Sequence, residues 1–385
     1  MITVEREVTP LLRERLRTYP AVALLGARQS GKTTLAKGLK GRYFDLEDPG
    51  DRLKLDLAWP ELETTSALWI LDEAQVMPVV FSRLRGAIDA RRKRNGRFLL
   101  LGSVGPALMR HVSESLAGRL SLVELAPFTV SELGGQRLDA LWLTGGFPDG
   151  GILASGAFPS WQLDYLRLLT QRDLPNWGLP AKPQVTTRLL RMVAALHGQT
   201  WNAMQVGQSL GLNYQTINSY MDYIEGAFLV RRLEPFHANL AKRLVKRPKY
   251  YWRDSGLLHA LLDVRSREGL LGQPWAGASW EGFVIEQVLT FLQARGMSAA
   301  PFFLRTSDQY EIDLVLQGAG APWAIEVKLT TQPSEADMQR LNKTADLIQA
   351  GTRVLVSRTA TPAGSGHVLS TDLPGLLAHL ATHRL

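Results

Sequence analysis

Residues 26 to 33 read Gly26-Ala27-Arg28-Gln29-Ser30-Gly31-Lys32-Thr33, which satisfies G-x-x-x-x-G-K-[ST] at every position. The chemistry such a stretch serves is phosphate binding. Its glycines let backbone N–H groups turn inward onto phosphate oxygens at the start of a helix. Lys32 is expected to reach the terminal phosphates and the Thr33 hydroxyl to ligate Mg²⁺, with Thr34 counted among the binding residues. ATP with Mg²⁺ is therefore the expected ligand. Such a loop needs a carboxylate on a second strand, and ALWILDEAQ supplies Asp72 and Glu73 behind an apolar run. Asp72 is expected to hold Mg²⁺ through water and Glu73 to polarise the attacking water. The competing reading is an acidic pair that caps the next helix. A third apolar run, RFLLLGSV, carries Ser103 at its end, where a hydroxyl suits contact with the γ-phosphate or the lytic water. Hydrolysis, and not binding alone, is the expectation.

Two later groups of residues suggest other chemistry. YEIDLVL sets Glu311 and Asp313 two apart on one face of a strand, and WAIEVK does the same for Glu326 and Lys328. Asp, then about a dozen residues, then Glu-x-Lys is the PD-(D/E)XK nuclease pattern, in which carboxylates hold a divalent metal and the lysine steadies the attacking water or the leaving charge. Glu281, early in the helix ASWEGFVIEQVLTFLQA, is the expected third ligand. A buried Glu–Lys pair without cleavage accounts for the same residues, so both readings stand. Ahead of them, LVRRLEPFHANLAKRLVKRPKYYWRD holds Arg231, Arg232, Lys242, Arg243, Lys246, Arg247, Lys249 and Arg253, with Tyr250, Tyr251 and Trp252 interleaved. This stretch reads as a basic wing that tracks a DNA backbone without base specificity, or as a solvated hairpin beside a structural domain. The helix before it has an apolar stripe of Tyr214, Ile217, Met221, Ile224 and Phe228. Its other face shows Gln215, Asn218 and Ser219, then Asp222 and Glu225. The polar start suits bases, whereas the two acids repel phosphate.

The elements that must hold these side chains follow from their flanks. AVALL before the phosphate loop is continuously apolar, as a buried parallel strand is, and TTLAKGLKG after it has helical spacing that stops at Gly41. Strand, loop, helix is the required order. Carboxylates at a strand's C-terminal end stand where open α/β sheets place their ligands. Residues 138 to 185, rich in Gly, Pro and Trp, read as a helical lid and connector. TTRLLRMVAAL, AMQVGQSLG and the helix from Tyr214, with a break at Gly211, suit a helix-turn-helix within a winged-helix domain. The last third reads helix, strand, strand, strand, helix, strand. With 385 residues, 45% of them hydrophobic, the chain is large enough for two or three globular domains. No apolar run approaches ~20 residues, so no membrane span is expected. The opening MITVEREVTPLLRERL is charged and lacks an apolar core, so no secretory leader is expected. Zero cysteines leave no disulfide or thiolate metal site and fit a cytoplasmic location. A net charge of +8, from 44 basic and 36 acidic residues, favours an anionic partner unless the arginines reflect codon usage.

GARQSGKTTL, LDEAQ, LLGSV, SLAGRL with LAPFTVSEL, GGFP, QRDL, YYWRDSGLLHALL, WEGFVIEQVL, and EIDLVL with AIEVK occur in that order. With these motifs the chain resembles, over nearly its whole length, the prokaryotic AAA-type ATPases that carry a DUF4143 C-terminal region. It departs from them at Val104, where such proteins often carry a second small polar residue. Read with the elements above, the resemblance implies an α/β chain of four parts. These are a P-loop parallel-sheet AAA-type core over 1–137, a helical lid and connector over 138–185, a winged-helix domain over 186–255, and a PD-(D/E)XK nuclease-like α/β domain over 256–385. It also implies that Arg119, in LAGRL, acts on the nucleotide of its own or a neighbouring subunit of a homo-oligomer. Charge developing on a γ-phosphate calls for a planar donor that is always charged. A surface arginine ahead of a strand is the alternative. Arg172 in QRDL is a second candidate, or it pairs with Asp173. The expected activity is ATP hydrolysis by a DNA motor or remodeller. An ATP-gated nuclease in genome defence and a STAND-like nucleotide switch that scaffolds partners are the alternatives.

Overall fold

A strand that is apolar at every position has to be covered on both faces, and β1 (Ala21–Leu25) is buried throughout. It lies within a parallel sheet that also contains β2 (Gly41–Asp45), β3 (Leu68–Asp72), β4 (Phe98–Gly102) and β5 (Leu120–Glu124), in the order β2-β3-β4-β1-β5. The computed structural model describes residues 4–63, 67–102, 116–154, 156–236, 246–306 and 310–383. Helices α1 (Thr9–Thr18), α2 (Lys32–Lys37), α3 (Pro49–Ala58) and α4 (Val79–Ala90) flank the sheet. On one face Val8, Leu12 and Ala36 pack with Val22, Leu24, Ile70, Leu99 and Leu101. On the other, Leu55, Val80, Phe81, Leu84 and Ile88 pack with Ala23, Trp69, Leu71, Phe98 and Leu100. All five strands run the same way, so the loops after β1 and β3 emerge at one edge of the sheet.

Helices α5 (Ser160–Leu168), α6 (Pro183–Ala195), α7 (Ala203–Leu210) and α8 (Tyr214–Gly226) follow and share a second core. The turn between α7 and α8 depends on glycine. Gly211 has φ +69°, and a Cβ on Gly207 would stand 2.4 Å from the Leu212 carbonyl oxygen. The buried face of α8 is Ile217, Tyr220, Met221 and Ile224. This shifts the expected stripe. Asn213 caps the helix by accepting from the Thr216 N–H at 2.8 Å, which puts Tyr214 in the first turn, 49% exposed, and Phe228 beyond the helix end.

The chain then builds a second sheet. β6 (Val230–Pro235) pairs antiparallel with β7 (Lys249–Trp252) and parallel with β8 (Ala300–Arg305), so the basic hairpin expected as a free wing forms the edge of the C-terminal sheet. The remaining strands are β9 (Glu311–Gln317), β10 (Trp323–Val327), β11 (Thr352–Val356), β12 (Ala363–Ser365) and β13 (Val368–Thr371). The eight lie in the order β12-β13-β11-β10-β9-β8-β6-β7. Helix α9 (Ala276–Ala294) covers one face, with Trp280, Val284, Ile285 and Val288 packed on Phe303, Leu314, Leu316 and Ile325. Helix α10 (Glu335–Asp346) covers the other through Leu341 and Ala345 on Leu304, Ile312, Val315 and Leu355. The helix, strand, strand, strand, helix, strand order of the last third is present, followed by the β12–β13 hairpin and α11 (Leu373–Thr382). Among the described residues no helix is long and apolar enough to cross a membrane.

Candidate functional site

The loop between β1 and α2 forms a tight cradle. A Cβ on Gly26 would stand 2.2 Å from the Leu125 carbonyl oxygen, so the loop passes too close to the end of β5 for any other residue. Gly31, with φ +97°, leads directly into α2. Lys32 is 7% exposed, and its ammonium donates to the Gly26 and Ala27 carbonyls at 3.0 and 2.8 Å. Burial pulls its pKa down to about 8, against the opposing influence of Glu73 and Asp72. The Ser30 hydroxyl is buried and finds no partner among the described residues. Thr33 Oγ1 and Tyr43 Oη both donate to Asp72 Oδ2 at 2.7 Å. Burial, and the Asp72 carboxylate it donates to, push the Tyr43 phenol far up, so it stays protonated. This donor set suits Mg²⁺-nucleotide: a hydroxyl and a carboxylate in contact, with an ammonium and an unpartnered buried hydroxyl in the same loop.

Glu73 follows Asp72 with φ +50° and ψ +46°, a left-handed conformation uncommon for a non-glycine residue. Its N–H donates to Asp72 Oδ1 at 2.9 Å, and its carboxylate accepts from the Gln75 amide. Burial raises its pKa, with Arg28, Lys32 and Asp72 among the charges that act on it. The loop is tied down from two directions. Arg6 donates to the Ser30 carbonyl at 2.9 Å, to the Ala126 carbonyl at 2.5 Å and to Glu132 at 3.0 Å. Arg28 donates to Asp173, which also accepts from Arg172 Nε at 3.0 Å. Asp173 is 6% exposed, so one buried carboxylate just past α5 pairs with a loop arginine and with the arginine beside it.

Arg119 lies elsewhere. It forks onto Asp89 of α4 at 2.8 and 2.9 Å and precedes Leu120, which pairs with Ala21 at the start of β1. The phosphate loop begins past Leu25, at the other end of that strand, roughly 13 Å away at ~3.3 Å per residue. Ser103, Lys242 and Arg243 lie outside the described residues.

Several members of the expected basic wing are corrected. Lys249 is 2% exposed, and Tyr250, Tyr251 and Trp252 are buried with it. Arg231 forks onto Glu286 at 2.6 and 2.9 Å, and Arg253 donates to Glu286 at 2.7 Å and to Glu124. Lys249 and Arg231 meet acids of α9, and Arg253 joins α9 to the end of β5, so each is paired inside the fold. The physical reason is the pairing of β6 with β8, which turns the hairpin into sheet and brings buried acids against its arginines. Arg232 pairs with Glu234 at 2.6 Å and is half-exposed; Lys246 and Arg247 are exposed.

The C-terminal carboxylates each meet a donor of the chain. Tyr251 Oη donates to Glu281 Oε1 at 2.5 Å, Lys249 Nζ lies 3.3 Å from the same oxygen, and Lys249 also reaches Glu311 Oε1 at 2.7 Å. Asp313 Oδ2 accepts from the Val327 N–H at 2.8 Å, and Lys328 Nζ donates to Glu326 Oε1 at 2.6 Å. Burial, with Glu281 and Glu326 nearby, holds the Asp313 carboxyl well above the ordinary range.

The AAA domain family matches residues 18–134, spanning the loop, the Asp72–Glu73 pair and Arg119. A domain of unknown function, DUF8612, matches 135–268, and another, DUF4143, matches 276–373. Over 340 residues the chain is 38% identical to Rv2008c of Mycobacterium tuberculosis, described as an uncharacterized protein, covering 87% of this chain and 76% of the relative. Mb2031c of Mycobacterium bovis matches to the same extent. This chain belongs to the AAA-type ATPases that carry a DUF4143 region. Likeness to solved structures is slight. A RuvB variant of Thermotoga maritima is 18% identical over 60% of this chain and 90% of its own, with a TM-score of 0.29. The DNA clamp loader delta protein YqeN of Bacillus subtilis is 14% identical over 57% and 88%, with a TM-score of 0.26.

Four residues of this AAA-type ATPase's sites were not expected from the sequence in the places they occupy. Arg6 and Asp173 contact the loop from sequence-distant segments; no local pattern marks Arg6, and QRDL pointed to Asp173 only as a partner for Arg172. Tyr43 meets Asp72 because β2 pairs with β3, a neighbour relation that only the strand order sets. Lys249 had a readable signal. In the strand KYYW, alternation puts Lys249 and Tyr251 on one face.

Proposed function

We propose that this AAA-type ATPase hydrolyses ATP at the loop of residues 26–34 and couples turnover to DNA as a homo-oligomer. The observation that carries the reading is Asp72 Oδ2 accepting from both Thr33 and Tyr43 at 2.7 Å, with Glu73 adjacent. Lys32 holds the β- and γ-phosphates together with the backbone N–H groups of the loop. Mg²⁺, held by Thr33 and through water by Asp72, would neutralise charge on the β/γ oxygens. Glu73, its basicity raised by burial, takes the proton of the attacking water. Ser103 stands as the sensor and Arg172 as a second arginine near the mouth of the loop. Arg119, too far from the loop of its own subunit, serves a neighbour's nucleotide.

For DNA the support is the exposed start of α8, with Gln215, Asn218 and Ser219, together with exposed Lys246 and Arg247 ahead of β7. The winged-helix reading of residues 186–255 goes with this role. A nucleotide switch with little turnover is the second reading, favoured by the half-buried Arg253 that links Glu124 at the end of β5 to Glu286 on α9. ATP turnover measured with and without duplex and single-stranded DNA separates the two: stimulation by DNA is expected. Slow turnover unmoved by any DNA would support the switch. Reversing the charges of Lys246 and Arg247 should flatten the salt dependence of duplex binding, by ~0.9 in log–log slope for each phosphate no longer neutralised. An unchanged slope would put DNA elsewhere.

A further inference from the structure

The nuclease-like pattern in the C-terminal sheet implies a divalent metal held by Glu281, Asp313 and Glu326. The side chains present do not fit one. The Glu281 oxygen nearest the centre is already held by donors of the chain, and although Glu326 Oε2 is buried with no partner among the described residues, no group of three acids surrounds it. Glu281 Oε1 receives both the Tyr251 hydroxyl at 2.5 Å and the Lys249 ammonium at 3.3 Å. Glu311, the other acid at the opening of β9, holds the same ammonium at 2.7 Å. Glu326 Oε1 is committed to Lys328 at 2.6 Å, and Asp313 Oδ2 to the Val327 N–H at 2.8 Å. Among the described residues no group of three or more His, Asp or Glu side chains is placed to hold a metal ion.

The cation at the centre comes from outside the pattern. Lys249 stands on β7, roughly thirty residues before Glu281 and on the far side of β6 from β8. Its neighbour two along, Tyr251, shares its face because side chains alternate along a strand. Both therefore reach Glu281, in the second turn of α9, from the same direction. Lys249 is 2% exposed, so the ammonium has left water for these carboxylates. Mg²⁺ binds oxygen at ~2.0–2.1 Å and needs several ligands around it. An ion bound to Glu281 Oε1 or Glu311 Oε1 would have to displace the Lys249 ammonium that both oxygens already hold.

We infer that Lys249 is the resident cation of this carboxylate centre: it takes the place of a divalent metal and makes the centre a charge-neutralised joint between the β6–β7 hairpin and the C-terminal sheet. The ATP-gated nuclease reading loses its metal at this point. The inference is independent of the ATPase reading, because it concerns residues that do not touch the phosphate loop.

The test uses the full chain without nucleotide and Mn²⁺ as the probe, with free Mn²⁺ followed by its paramagnetic resonance signal. Any Mn²⁺ lost with Asp72→Asn belongs to the phosphate loop and is subtracted. The wild type should then bind no Mn²⁺ that depends on Glu281 or Asp313. Lys249→Met, similar in length and uncharged, should take up one Mn²⁺ at least about tenfold more tightly than wild type, and adding Asp313→Asn should abolish that uptake. Lys249→Met should also unfold at a lower temperature, with Mn²⁺ restoring part of the loss. Unchanged ATP turnover reports that the variant is folded. If Lys249→Met does not fold, Lys249→Gln is measured the same way, and the wild-type titration decides on its own. Wild-type Mn²⁺ binding that disappears with Glu281→Gln or Asp313→Asn overturns the inference. A folded Lys249 variant that takes up no more Mn²⁺ than wild type overturns it as well.

Discussion

Lys32 offers a prediction whose size can be worked from the structure. Its ammonium is buried against loop carbonyls, and burial brings it down to about 8 in the nucleotide-free chain. Phosphate oxygens beside it favour the charged form, so the nucleotide complex holds the proton more tightly than the free chain does. The sign follows by linkage. Below about pH 7 both states are protonated and affinity is flat. As pH rises through 8 the free chain loses a proton that binding must restore, and affinity falls. Each pH unit beyond the free value costs about 1.4 kcal/mol, so at pH 9.5 ATP binds roughly 30-fold more weakly than at pH 7. The assay is equilibrium binding of a fluorescent ATP analogue with Mg²⁺ between pH 6.5 and 9.5. Lys32→Arg, which keeps its charge throughout, should bind more weakly and show no such fall. Tyr43 does not interfere, because its phenol stays protonated over this range. A wild-type profile flat to pH 9.5, or the same fall in Lys32→Arg, refutes the reasoning.

Glu73→Gln should keep ATP affinity and lose about a hundredfold or more in turnover, measured as phosphate release, since an amide cannot accept the water's proton; a wild-type rate would move the base elsewhere. Arg119→Ala should lose hydrolysis at unchanged affinity. Mixing it with Lys32→Ala subunits should recover part of the activity, whereas no recovery at any ratio points to a role within one subunit. His197 and His259 are held neutral by burial, at about 3 and about 4. Unfolded histidine titrates near 6.5, so below that pH the unfolded chain gains protons that the folded chain refuses, and stability is lost as pH falls. Buried Asp254, raised to about 6 by burial, titrates in the opposite sense, so the comparison is best made between chains. In urea melts below pH 6.5, wild type should lose about 1.4 kcal/mol per pH unit more than His259→Gln does. Parallel curves would mean that His259 takes up its proton while folded.

The sequence by itself determined what local spacing can determine. A glycine-flanked Lys32–Thr33 pair between an apolar strand and a helix specifies a phosphate cradle, because backbone geometry over eight residues suffices to build one. Asp72 falls at a strand end, and Glu311 with Asp313 and Glu326 with Lys328 share faces, because side chains alternate along a strand. The break at Gly211 is equally local. Tertiary structure alone decided which charge meets which. Lys249, Arg231 and Arg253 read as a solvent-facing basic run, yet Lys249 is buried, the two arginines are half-buried, and all three are paired with acids. Those acids come from α9, β5 and β9, which reach them only once β6 has paired with β8. The same holds for Arg119, whose distance from the phosphate loop of the same chain follows from the register of β5 on β1. A charged side chain's partner depends on the order of strands in a sheet. Composition and periodicity carry the strand and its faces but not its neighbour, and at both centres the neighbour sets the chemistry.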